Sequence, residues 1–150
     1  EDSMAITYKE MHRGAAFSKI VEYPVFKAIN EVDHEYGHYV VNADRAIFLR
    51  HSLKTESPWV FSFEPGYVQA IMEAVDNPKT KVFLVLVCDK DTICLIDEDQ
   101  IMALFLIGSK QTQSISVRHT LGQALRVRRT KTKVPPIIIP HITFPRRIFE

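Results

Sequence analysis

Between Asp99 and Glu150 the chain contains no acidic residue. Nine lysines and arginines fall in that stretch, while the first 99 residues hold ten bases against 17 acids. The net charge of +1 therefore conceals a part of −7 followed by a part of +8. Such asymmetry points to a charged partner or to self-pairing. Other scarcities exclude whole classes. Two cysteines in 150 residues do not make a disulfide framework, and with no basic-then-apolar leader they predict a reducing, cytoplasmic setting. Five glycines exclude a collagen-like or low-complexity chain. The longest apolar runs, Val82–Cys88 and Ile101–Ile107, are far shorter than the ~20 residues that span a bilayer, so no membrane partner is expected.

What is present fits one α+β domain over residues 1–150, with a mixed or antiparallel sheet and helices packed on it. Hydrophobic content of 46% and charged content of 25% are ordinary for a globular protein. Residues Tyr8 to Asp33 read as helical, with Pro24 as a kink or a break. Strands are predicted at Tyr39–Val41, Ala46–Leu49, Trp59–Phe63, Val82–Cys88 and Ile93–Ile96, and helices at Tyr67–Val75 and Gln100–Ile107. The continuous apolar run Val82–Cys88 suits a central strand covered on both faces. Cys88 and Cys94 share a parity on adjacent strands and read as inert buried thiols. Residues 134–150 carry four prolines and read as an extended tail whose isoleucines pack along the domain.

Three constellations bear on chemistry. The sharpest is His34-Glu35-Tyr36-Gly37-His38, a literal H-E-x-x-H. Two histidines four apart share one face of a helix and can hold a zinc ion, with Glu35 as general base for its bound water. The string resembles the signature of zinc metallopeptidases, which implies a zinc-dependent hydrolase with His34 and His38 as ligands. The competing reading ends a helix here and runs it into strand Tyr39–Val41, because Gly37 lies inside the motif.

The second is topological. The order helix, three strands, helix, strand over residues 8–88 resembles the core of restriction-endonuclease-like nucleases. That resemblance implies a metal site with an acid at the second strand and an acid-x-lysine on the third. Asp44 takes the first place and Glu31 assists from the preceding helix. The third strand, Trp59–Phe63, offers only Ser62 followed by Glu64, with no lysine. The resemblance therefore implies a non-catalytic relative.

The third is the basic third of the chain. Strands Ser114–His119 and Leu125–Thr130 can pair about Gly122, setting Arg118 opposite Arg126 and Ser116 opposite Arg128. Side-chain alternation makes that face polar and basic, while Val117 and Val127 meet on the other. Arg118, Arg126 and Arg128, continuing into Arg129, Lys131 and Lys133, form a strip that can track a phosphate backbone. The function expected is that of a non-enzymatic accessory protein that binds or helps to process nucleic acid, with no cofactor. The alternatives are the zinc hydrolase and an interaction module or homo-oligomer whose acidic and basic parts pair.

Overall fold

The computed structural model describes residues 5–150. The first helix, α1 (Tyr8–Val21), is opened by a reciprocal cap. The Thr7 hydroxyl accepts the Glu10 N–H at 3.0 Å and the Glu10 carboxylate accepts the Thr7 N–H at 2.9 Å. His12, Ala16 and Ile20, spaced four apart, form its buried stripe. The helix stops at Val21, well short of the expected Asp33. Val25 ends a turn, and the residues after it are held out of the helix by one side chain. Asn42 accepts the N–H groups of Lys27 and Ala28 and donates to the Val25 carbonyl. That clamp delivers the chain into β1 (Ile29–Asp33).

A meander follows: β1 pairs antiparallel with β2 (His38–Val41), and β2 with β3 (Arg45–Ser52). The chain then leaves the sheet for β4 (Trp59–Phe63) and α2 (Pro65–Val75). It returns as β5 (Lys81–Cys88), parallel to β3 in an unbroken register from Arg45↔Lys81 to Ser52↔Cys88. Every residue from Val82 to Cys88 is buried, as the apolar run implied. A hairpin adds β6 (Thr92–Ile96), completing a five-stranded mixed sheet in the order β1-β2-β3-β5-β6. Asp97 caps α3 (Glu98–Leu104), and the Glu98 carboxylate accepts the Val82 N–H at 3.0 Å. The acids that open α3 are thus tied into its cap and into β5.

The rest of the chain builds a second sheet. β7 (Gln113–Arg118) pairs with β4 on one side and with β8 (Leu125–Arg129) on the other, and β9 (Ile137–Ile139) closes the order β4-β7-β8-β9. Trp59–Phe63 is a strand as expected, yet it lies in this sheet and not beside β3. The proline-rich residues 134–150 are not an extended tail. They form edge strand β9, bounded by Pro136 and Pro140, then two short 3₁₀ turns, His141–Thr143 and Arg146–Phe149. An edge position tolerates such prolines because no ladder hydrogen bond is lost on the outer side.

Two cores result. The larger lies between the sheets, where Phe48, Leu84, Leu86 and Ile96 meet Trp59, Phe61, Ile115 and Val127, with α2 and α3 sealing its ends. The smaller lies on the opposite face of the five-stranded sheet, where Ala16 and Ile20 of α1 and Ile148 cover Ile47, Phe83 and Val85. Each fully buried Phe, Ile or Leu contributes about 1.5–3 kcal/mol relative to exposure. Among the described residues nothing covers the outer face of the four-stranded sheet, where Arg118, Arg126 and Arg128 are exposed.

Candidate nucleic-acid interface

The hairpin of β7 and β8 has the register read from the sequence. Arg118 lies opposite Arg126, Ser116 opposite Arg128, and Val117 opposite Val127. Gly122, with φ +81°, provides the left-handed residue in the connecting turn. Ile115, Val117, Leu125 and Val127 point into the larger core, so Arg118, Arg126 and Arg128 stand exposed on the other face. The neighbouring strands extend that face. β4 sets Val60 beside Ser116 and Ser62 beside Ser114, with the two serine hydroxyls 3.2 Å apart. β9 places Ile138 beside Arg126. The surface is thus a sheet of arginines and hydroxyls with two half-exposed apolar side chains at its margins.

Its electrostatics are one-sided. Among the described residues, none of Arg118, Arg126, Arg128, Lys131 or Lys133 has a carboxylate within ion-pair distance. The acidic and basic parts of the chain do meet elsewhere. Arg147 pairs with Asp97 at 3.0 Å, which holds the guanidinium pKa above its usual value, and His119 pairs with Asp91 at 3.1 Å. Those contacts fasten β7 and the last 3₁₀ turn to the five-stranded sheet and leave the hairpin arginines unneutralised.

Not all six basic residues share the surface. Arg129 donates from Nη1 to the Leu104 carbonyl at 2.9 Å, satisfying the end of α3. It is turned away from Arg128, as alternation along β8 requires. Lys131, in the left-handed region with φ +62°, and Lys133 are exposed in the loop that follows β8.

The H-E-x-x-H string has a different geometry from the one zinc binding requires. Residues 34–37 are the turn of the β1–β2 hairpin, with Gly37 at φ +61° and its carbonyl accepting the Leu49 N–H at 2.9 Å. His34 is exposed beside Glu31, whereas His38 stacks on Phe48 with ring centroids 4.2 Å apart. Burial pushes the His38 imidazole below its ordinary pKa, and Asp33 offsets this only in part. No helix brings His34, Glu35 and His38 onto one face. No cluster of three His, Cys, Asp or Glu suited to a metal occurs among the described residues.

The acids of the nuclease core are likewise missing from the strands that would carry them. Asp44 sits in the turn before β3 and pairs with Arg45 at 2.9 Å, and Glu31 is on a strand rather than a helix. Neither β3 nor β4, the strands expected to carry them, contains an acid. Cys88 and Cys94 are free, buried and diagonal rather than opposite, since Cys94 faces Leu86. Burial pushes both thiols up, Cys94 to about 12.

Sequence reasoning missed a second concentration of cations. Lys9, Arg13, Arg50 and His51 line one cavity between α1 and the end of β3. No spacing announces them, because two come from a helix and two from a strand about 40 residues later. Compared with models of protein families, with curated proteins and with solved structures, the chain has no match.

Proposed function

We propose that this protein binds nucleic acid through the outer face of its four-stranded sheet, without an enzymatic step. Arg118, Arg126 and Arg128 contact phosphates, and Lys131 and Lys133 extend the track along the loop after β8. The observation that carries the reading is the cross-strand pair Arg118 and Arg126 on an uncovered sheet face with no acid beside it. Like charges placed directly opposite oppose folding, and a polyanion laid across them removes that repulsion. The serine hydroxyls of the same face add hydrogen-bond donors for phosphate oxygens. No aromatic side chain projects from the outward positions of these strands, so the face lacks a platform for stacking bases. Binding is accordingly to the backbone and tolerant of sequence. Among the described residues no helix is long and apolar enough to cross a membrane. A reducing cytoplasmic setting completes the proposal, in keeping with two free thiols.

The test is fluorescence anisotropy with labelled single- and double-stranded oligonucleotides. With three to five phosphates engaged, affinity is expected to fall by roughly two orders of magnitude between about 50 and 200 mM salt. The double variant Arg126→Ala/Arg128→Ala is expected to lose most of that affinity. No binding at the lower salt overturns the proposal. Salt-dependent dissociation of an oligomer with no oligonucleotide present would assign the arginine face to pairing between copies instead.

A further inference from the structure

β3 outruns its neighbour. β2 begins at His38, opposite Phe48, and the Gly37 carbonyl takes the Leu49 N–H, after which the chain of β2 has turned away. Arg50, His51 and Ser52 continue beside β5 alone. Backbone alternation directs the His51 N–H to the same side as that of Leu49, into the space β2 has vacated. The first turns of α1 lie across this gap and enclose a cavity of about 210 Å³. That is below the roughly 300–1,000 Å³ of pockets that take drug-sized ligands, and it suits a small ion or a ligand's end group.

The lining is cationic. Lys9 and Arg13 come from α1 and Arg50 and His51 from β3, with Glu35 of the hairpin turn the single acid among them. Among the described residues, Lys9, Arg13 and Arg50 have no carboxylate within ion-pair distance. Arg13 is held by a ring face, 5.4 Å from the Tyr39 centroid, whereas the Arg50 side chain leaves β3 on the opposite face and its guanidinium lies 5.2 Å from both Phe63 and Tyr67. Stacking leaves the N–H edges of a guanidinium available to an oxyanion. His51 stacks on His12 at 5.1 Å, and His12 is fixed behind it by Asp89 at 3.2 Å. Burial depresses the His51 imidazole first, and His12, Lys9, Arg50 and Arg13 each depress it further. Three fixed cations, Lys9, Arg13 and Arg50, thus act on one ring, with Glu35 of the hairpin turn and Asp89 behind His12 as the acids nearby.

We propose that this pocket binds a phosphoryl group, held by Lys9, Arg13 and the His51 N–H. Inorganic phosphate and the terminal phosphate of a phosphomonoester present the same tetrahedral oxyanion, and both are tested. The site is separate from the arginine face of the four-stranded sheet and does not depend on its role.

The experiment follows the imidazole signals of His51 and His12 by NMR at fixed pH and constant ionic strength, titrating inorganic phosphate or a nucleoside 5′-monophosphate against chloride. Saturable shifts of both rings with phosphate, and none with chloride, are expected. Lys9 is exposed, so its replacement is expected to leave the fold intact, and Lys9→Ala is the first variant. The second is Lys9→Ala/Arg13→Gln. Loss of two charge-assisted contacts is expected to weaken phosphate at least about tenfold. Arg126→Ala/Arg128→Ala is expected to bind phosphate as the parent does, which separates this site from the nucleic-acid surface. Tighter binding of the monophosphate identifies an ester as the ligand, and equal binding identifies the free ion. Equal shifts with chloride, or undiminished phosphate binding in both Lys9 variants, overturn the proposal.

Discussion

Arg118 and Arg126 face each other across β7 and β8, with Ser116, Arg128 and Ile138 as their neighbours on that face and no acid among them. An arrangement selected for stability alone would place an acid at one of the two positions. Arg126→Glu is therefore expected to stabilise the protein by about 0.2–1 kcal/mol, since a directly opposed repulsive pair becomes an attractive one. The same change is expected to weaken oligonucleotide binding more than Arg126→Ala does. Urea unfolding and anisotropy on one preparation measure the two effects, whose opposite signs distinguish a binding surface from a structural one.

Gly37 carries a different constraint. Its φ is +61°, and a Cβ placed there would lie 2.5 Å from the Leu49 carbonyl oxygen. Both the conformation and the clash oppose any side chain. Gly37→Ala is expected to cost at least about 1–3 kcal/mol, measured by chemical denaturation. The residue belongs to the hairpin turn and to the close approach of β2 and β3. If Gly37→Ala were neutral or stabilising, as glycine replacement inside a helix would be, the turn would be misassigned.

What was legible in the sequence followed from alternation and punctuation. The β7–β8 register was readable because apolar and polar positions alternate on both sides of Gly122, and a one-residue slip would bury arginines. β5 was readable from its apolar run. The end of α1 was not, because the side chain that fastens Val25, Lys27 and Ala28 outside the helix is Asn42, which lies beyond β1 and β2. Nor was the division into two sheets. β4 finds its partner in β7, more than 50 residues later, and nothing in Trp59–Phe63 names that partner. The H-E-x-x-H string shows the converse hazard. Its spacing is informative only on a helix, and a glycine with positive φ makes it a turn. The phosphate pocket lay beyond reach for the same reason as the sheets, being assembled by tertiary contact.

Two histidines give the fold a pH dependence. Burial lowers the His38 pKa, and burial together with neighbouring cations lowers that of His51, from an ordinary value of 6.5. The unfolded chain therefore binds protons at a pH where the folded chain does not. Both groups contribute stability that is fully present above pH 6.5 and is lost as the pH falls through the folded-state values. The urea midpoint is expected to fall on acidification below pH 6.5, and less so in His38→Gln than in the parent. Saturating phosphate is expected to reduce the His51 share of that loss, because an anion beside the ring favours its protonated form.

Cys88 and Cys94 line the larger core, and both thiols are pushed up by burial. A thiol reagent attacks the thiolate, so neither residue is expected to react in the native state at neutral pH. Both are expected to react promptly in urea, with a native-state rate that tracks global unfolding. Rapid labelling of one cysteine in the folded protein would mean that the β5–β6 hairpin opens locally.

The second 3₁₀ turn is a structural part of the domain despite the prolines that precede it. Ile148 is fully buried against the smaller core, and its carbonyl accepts from Arg45 Nε at 2.8 Å. Arg147 on the same turn pairs with Asp97 at the start of α3. Truncating Ile148 to alanine removes apolar contacts and leaves a cavity beneath α1, at an expected cost of about 2–5 kcal/mol. Arg147→Ala removes an ion pair whose arginine is half exposed, and is expected to cost about 0–1 kcal/mol. The contrast is decisive because the two residues are adjacent. If the turn were held by charge, Arg147→Ala would be the damaging change, and if by burial, Ile148→Ala would be. The structure places the greater loss at Ile148, readable from paired urea unfolding curves.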